Sequence, residues 1–285
     1  MPTIAIRSND VLGESPFWNS EDNTLWRVDI KEKKIYKWSQ VSNKSIIWEV
    51  PSEIGCFIPS KNSEQGLAAL EDGIYIFDLI TKKLKLITNP KENTNKTRFN
   101  DGKIDRYGNF WIGSMDKNEK ESIGCLFVLD AHLNLKPVLK GLTISNGLGW
   151  SPNNKVMYVT DSGVKTIWAF DYDPEKLVLS NRRVFSKDID YYPDGLAVDK
   201  NGCVWSAKWD GGCIVKYSPD GKVEKIIDLP IKRPTSIVFG GKDFKSLFIT
   251  SACLGLDIQN NHSLNGSILE VDSGTNGAQE RMFSL

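Results

Sequence analysis

Histidine is scarce in this sequence: His132 and His262 are the only two in 285 residues. They lie far apart in loop-like contexts, so a Ser–His–Asp triad or a His-based zinc site lacks its parts. Neither charge is in excess, since Lys plus Arg and Asp plus Glu both total 36. Nucleic-acid binders carry a basic face. Here the lysines at 31–37, 82–85 and 242–245 fall in turn-like stretches between apolar strands, as solvated hairpin tips do. No run approaches the ~18–20 apolar residues of a membrane span. The start, MPTIAIRSND, lacks a charged segment followed by a long apolar one, so a cytoplasmic protein without a secretory signal is expected. Cysteines 56, 125, 203, 213 and 253 are odd in number and show no CxxC spacing. They read as reduced core residues, not as a disulfide frame or zinc site. Neither common type of glycine-rich phosphate loop occurs.

What the sequence has is a repeat. ISNGLGWSPNNKVMYVTDS, residues 144–162, returns as YPDGLAVDKNGCVWSAKWD, residues 192–210. Short apolar or aromatic runs bounded by Gly, Asn, Asp and Pro signal strands throughout. Aligned on the strand after each turn, the chain gives Trp26, Ala68, Trp111, Tyr158, Trp205 and Phe248, at intervals of 42 to 47 residues. A four-stranded blade with its turns needs about that much chain. The expectation is one domain over residues 1–285: an all-β, six-bladed β-propeller with four-stranded antiparallel blades. A pair of β-sandwiches is the alternative, but it leaves the period unexplained. Either the N-terminal TIAIR or the C-terminal RMFSL completes the last blade.

In a propeller the first strand of each blade lines the central channel. Eleven or twelve residues before each anchor stand Glu14, Cys56, Asn100, Asn146, Asp194 and Ser236. These six should converge at one mouth of the channel. Two facing carboxylates are costly to bury unless one is protonated or a cation sits between them. Amide and carboxylate oxygens suit a hard divalent ion, Ca²⁺ or Mg²⁺, with Mn²⁺ or Fe²⁺ as further options. Taken singly, Asn-Gly and Asp-Gly are ordinary turn formers. It is the shared repeat position of Glu14, Asn146 and Asp194 that singles them out as metal ligands. Cys56 reads as packing, and Asp199 as no more than a blade turn.

GESPFW (13–18), RFNDGKIDRYGNFWIGSMD (98–116), ISNGLGWS (144–151), PDGLAVD (193–199), PTSIVFGG (234–241) and LFITSA (247–252) span nearly the whole chain. Together they resemble the SMP-30/gluconolactonase/regucalcin family, and most of all its bacterial aldonolactonases, such as those acting on xylonolactone. The resemblance implies a six-bladed propeller that binds one divalent metal and hydrolyses sugar lactones. It places the metal ligands on Glu14, Asn146 and Asp194, the three that the repeat selects. It places substrate binding on Arg98 and Asn100, and on a glutamate before the GCLF strand. Glu119, Lys120 and Glu121 are open to that last role, with Glu121 preferred.

The activity implied is hydrolysis of an aldonolactone, such as gluconolactone or xylonolactone, to the aldonic acid. Asp194 would be the catalytic base, with water activated at the ion as the alternative. Ca²⁺ is the preferred metal, with Zn²⁺, Mn²⁺, Mg²⁺ and Fe²⁺ as options. The partner is a small sugar lactone, with no nucleic acid and no membrane, and the protein a monomer or weak homo-oligomer. The competing reading is a non-catalytic calcium-binding regulatory propeller of the regucalcin type. Arg98 and Asn100 distinguish the two, because an ion binder has no need of them.

Overall fold

The structure, a computed structural model, describes residues 1–61, 64–90, 92, 95–256 and 263–284. His262 lies outside the described residues. Among them, twenty-four strands form six four-stranded antiparallel sheets arranged as a six-bladed propeller. Blades 1 to 5 cover 13–49, 54–88, 97–142, 145–187 and 192–228. Blade 6 takes its first three strands from Pro234–Gly240, Ser246–Ser251 and Ile268–Asp272. Its fourth strand is the N-terminal Thr3–Ile6, paired antiparallel with Ile268–Asp272. TIAIR therefore closes the ring and RMFSL does not. Instead the C-terminal segment crosses between blades, bridging Asp199 through Gly277 and Ser60 through Phe283.

All six anchors, from Trp26 to Phe248, lie on the second strand of their blades. Burial falls from axis to rim. The inner strand Ile54–Pro59 is buried throughout, whereas the outer strand Lys44–Glu49 buries only Trp48. This gradient explains the patterning: inner strands are apolar or small-residue runs, and outer strands alternate with lysine and glutamate. Aromatic pairs knit the blades, as in Trp18 with Phe248 at 5.0 Å between ring centres. All five cysteines are free and buried.

Two recurring details of the repeat have physical causes. Gly147 and Gly195 lie in strands, not turns. A Cβ on Gly147 would sit 2.6 Å from the Asp194 carbonyl, and one on Gly195 2.0 Å from Ser236 Oγ. The glycines let neighbouring inner strands close up on the axis. Asp199 does more than mark a turn. It is 1% exposed and accepts from Asn201 N and Cys203 N at 2.9 Å and from Trp205 Nε1 at 3.0 Å. Asp105 holds Trp111 Nε1 at 3.0 Å in the same way. DRYGNFW and DKNGCVW thus share an Asp that fixes the turn and the core Trp together.

Candidate active site

Each inner strand loses register with its neighbour at or beside the ring position, between Glu14 and Phe17, Phe99 and Gly102, Ser145 and Leu148, and Pro193 and Leu196 among others. Such irregularities re-aim a side chain out of the pleat. Here they serve the channel. Glu14, Arg98, Asn100, Asn146 and Asp194 line one cavity of about 460 Å³. All five are buried. Met115, Ile144, Tyr192 and Trp209 also line it, adding apolar and aromatic surface to the polar groups.

The remaining two ring positions do not reach this cavity wall. Cys56 is locked by Ser15 Oγ, which donates to its sulfur at 3.2 Å, and by its own bond to the Gly102 carbonyl at 3.2 Å. Burial pushes its thiol up to about 12, so it is packing, as expected. Ser236 lines a separate small void together with Asp101.

A chain of hydrogen bonds orients the polar set. Arg98 Nη1 donates to Asn100 Oδ1 at 2.7 Å and to the Phe99 carbonyl at 3.0 Å. Asn100 Nδ2 donates to Asn146 Oδ1 at 2.7 Å and to the Ser145 carbonyl at 2.8 Å. Asn146 Nδ2 donates to Ser162 Oγ at 2.8 Å, and that hydroxyl donates to the Pro193 carbonyl at 2.6 Å. Both hydrogens of Asn100 are therefore spent within the protein, and with Arg98 on its oxygen one lone pair is left for a sugar hydroxyl. Arg98 also faces Glu53 at 3.6 Å.

Among the described residues, two buried carboxylates of the cavity form no ion pair. Asp194 Oδ1 is buried with no hydrogen-bond partner among the described residues. Burial first, and then the charge of Asp101, holds its carboxyl well above the ordinary range. Glu14 is raised likewise by burial and by the charges of Asp194 and Asp101. Its Oε2 accepts only from Ser15 N, at 3.2 Å, among the bonds described. An orphaned acceptor and a second acidic group, in one pocket with an amide oxygen, are donors of the kind that could hold a hard divalent cation. Among the described residues no three of His, Cys, Asp and Glu gather at ligating distance. An amide, Asn146, would be the third oxygen donor, a residue type outside that grouping.

Glu121 does not lie on the cavity wall, whereas Glu119 does. The backbone explains the difference. Asp116 Oδ2 accepts from both Lys120 N and Glu121 N, and Glu119 takes φ +60. That tight turn places position 119, and not 121, at the mouth. Ser162 and Asp101 also escaped the sequence reading. Asp101 was within the RFND motif, yet only the fold shows that it is buried beside the ring and charged against it. Tyr192, Trp209, Asp210 and Leu254 line the mouth from turns and strand ends that the repeat alone does not orient.

The family model described as SMP-30/Gluconolactonase/LRE-like region matches residues 12–253. Regucalcin of Danio rerio is 34% identical over 260 residues, covering 89% of this chain and 87% of the relative. The 6-deoxy-6-sulfogluconolactonase of Pseudomonas putida is 32% identical over 251 residues, covering 87% and 85%. A solved luciferin-regenerating enzyme superposes with a TM-score of 0.92 at 30% identity, covering 100% of both chains. Propeller, ring of oxygen donors and similarity over nearly the full length agree: the chain belongs to the SMP-30/gluconolactonase/LRE-like family.

Proposed function

We propose that this protein is a divalent-metal-dependent lactonase that opens sugar lactones of the aldonolactone type to their acids. The observation that carries the reading is Asp194 Oδ1, a buried carboxylate oxygen without a partner in a cavity large enough for a sugar. Glu14, Asn146 and Asp194 would hold the ion, and their oxygens favour Ca²⁺ over softer metals. When bound, such a cation polarises a lactone carbonyl and offsets the charge that grows on its oxygen.

The chain's own residues do the rest. Arg98 spends Nη1 on Phe99 and Asn100 and keeps further N–H groups for sugar hydroxyls. Glu119 and the oxygen of Asn100 accept from hydroxyls on the same side. Holding the ring in one pose is worth several powers of ten in rate. Asp194 takes the proton of the attacking water as the carbonyl becomes tetrahedral. When the ring C–O bond breaks, the same carboxyl returns that proton to the departing ring oxygen, and the hydroxy acid leaves. Apolar surface from Met115, Ile144, Trp209 and Leu254 sheds water from around these groups and strengthens each electrostatic contact.

A second reading, a calcium-binding regulator without turnover, is favoured by the similarity to regucalcin. Against it stand Arg98 and a cavity of about 460 Å³, neither of which ion binding requires. The test is acid release from a panel of aldonolactones, xylonolactone included, with and without chelator. Turnover that falls with chelator supports the hydrolase. Calcium binding with no turnover on any member supports the regulator and overturns the hydrolase.

A further inference from the structure

Resting on the lactonase reading, we propose that Arg233 is a positioning residue that sets the sugar-binding wall of Trp209, Asp210 and Leu254. Arg233 does not line the cavity, but those three residues do. One guanidinium holds them all. Its Nε donates to Asp210 Oδ1 at 2.6 Å and its Nη2 lies 3.5 Å from Asp210 Oδ2. Its Nη1 donates to the Leu254 carbonyl. Its Cζ stands 4.7 Å from the centre of the Trp209 ring. Arginine alone offers this combination, a planar fork for a carboxylate and a flat cation for an aromatic face.

The wall it holds comes from two blades. Trp209 ends the second strand of blade 5, and Asp210 follows in the left-handed region at φ +61. Leu254 follows the second strand of blade 6. Blade 6 stands across the ring from blade 3, which carries Arg98. The sugar is therefore gripped between a polar wall at Arg98 and an aromatic–acidic wall that Arg233 fixes. Trp209 offers apolar surface to the C–H face of a sugar ring, and Asp210 offers an acceptor to hydroxyls.

The backbone around Arg233 is secured without its side chain. Gly212 N donates to the Lys232 carbonyl at 3.1 Å, Leu229 N to the Gly212 carbonyl at 2.8 Å, and Ala252 N to the Arg233 carbonyl at 3.0 Å. Removing the guanidinium should thus loosen the wall and leave the blades and the ring carboxylates in place.

The experiment compares wild type, Arg233→Ala and Arg233→Lys in three readouts: lactone kinetics, Ca²⁺ affinity, and acrylamide quenching of Trp209. The Trp209 signal is isolated by difference from Trp209→Phe in each background. Expected for both variants is KM raised on the order of tenfold, with kcat within about threefold. Ca²⁺ affinity should hold, and Trp209 should become more quenchable. Lysine should not rescue, because it supplies neither fork nor plane. An unchanged KM with unchanged quenching overturns the proposal, as does a joint collapse of kcat and Ca²⁺ affinity, which would mark a general structural role. A wild type without turnover on any lactone sinks the lactonase reading, while the quenching still decides whether Arg233 holds the wall.

Discussion

The side-chain amide of Asn100 donates to Oδ1 of Asn146 at 2.7 Å and ties the inner strands of blades 3 and 4 at the channel mouth. Because Asn146 spends its own nitrogen on Ser162, the oxygen is what it presents to the ring. A cation and Asn100 would share that oxygen's two lone pairs. Asn100→Ala should therefore weaken Ca²⁺ binding and lactone hydrolysis together, by about 10–100-fold, as loss of an orienting partner does. Calorimetric Ca²⁺ titration checks it. Unchanged Ca²⁺ affinity with a raised KM would leave Asn100 a substrate contact alone.

Asp199→Asn keeps the oxygen that Asn201 N and Cys203 N use, but sets an NH₂ group against Trp205 Nε1. One buried donor loses its acceptor, and the chain should lose about 1–3 kcal/mol of stability. Denaturant unfolding reads the loss. Ca²⁺ affinity of the folded variant should match wild type, since Asp199 is not on the cavity wall.

The propeller was legible because a strand, a turn and an aromatic recur with one period, and packing against identical neighbours forces that regularity. The convergence of Glu14, Asn146 and Asp194 on one cavity was legible from the same register, since they occupy one repeat position. The mouth was not. Glu119 stands there in place of Glu121 because a left-handed residue and the carboxylate of Asp116 bend the segment, and no periodicity encodes that bend. The role of Asp199 was also hidden, since its partner Trp205 is six residues away and joins it only once the hairpin closes.

Lys208 and Asp188 form a buried pair at 2.6 Å, with side chains 0% and 8% exposed. Lys208→Met leaves Asp188 uncompensated and should destabilise by about 3–5 kcal/mol. Adding Asp188→Leu should recover most of it, because two apolar groups replace two charges. Thermal melting of the single and double variants tests the coupling. A double variant as unstable as the single one would show that the pair is not the cause.

Asp101 titrates at about 6 against an ordinary 3.8, chiefly through burial and despite Lys103 and Arg98. The folded chain keeps this proton at pH values where the unfolded chain has released it. Its contribution to stability is therefore full below about pH 4 and is lost as pH rises through 6. In metal-free protein, Asp101→Asn should gain stability over wild type as pH rises from 4 to 7, on the order of 3 kcal/mol. Melting curves across that range give the difference directly. A constant difference would mean that Asp101 does not titrate in this window.

The proposed lactonase activity gives Asp194 two roles, ligand and base. Asp194→Asn keeps the size and the fold, removes one of two anionic ligands, and removes the proton acceptor. The decisive measurement is acid release from an aldonolactone by chelator-stripped protein as Ca²⁺ is titrated back, in wild type and in Asp194→Asn. Wild type should be inactive when stripped and recover with Ca²⁺, and the variant should stay near zero at every Ca²⁺ concentration. Full activity in the stripped wild type, or wild-type rates in Asp194→Asn, would contradict the account.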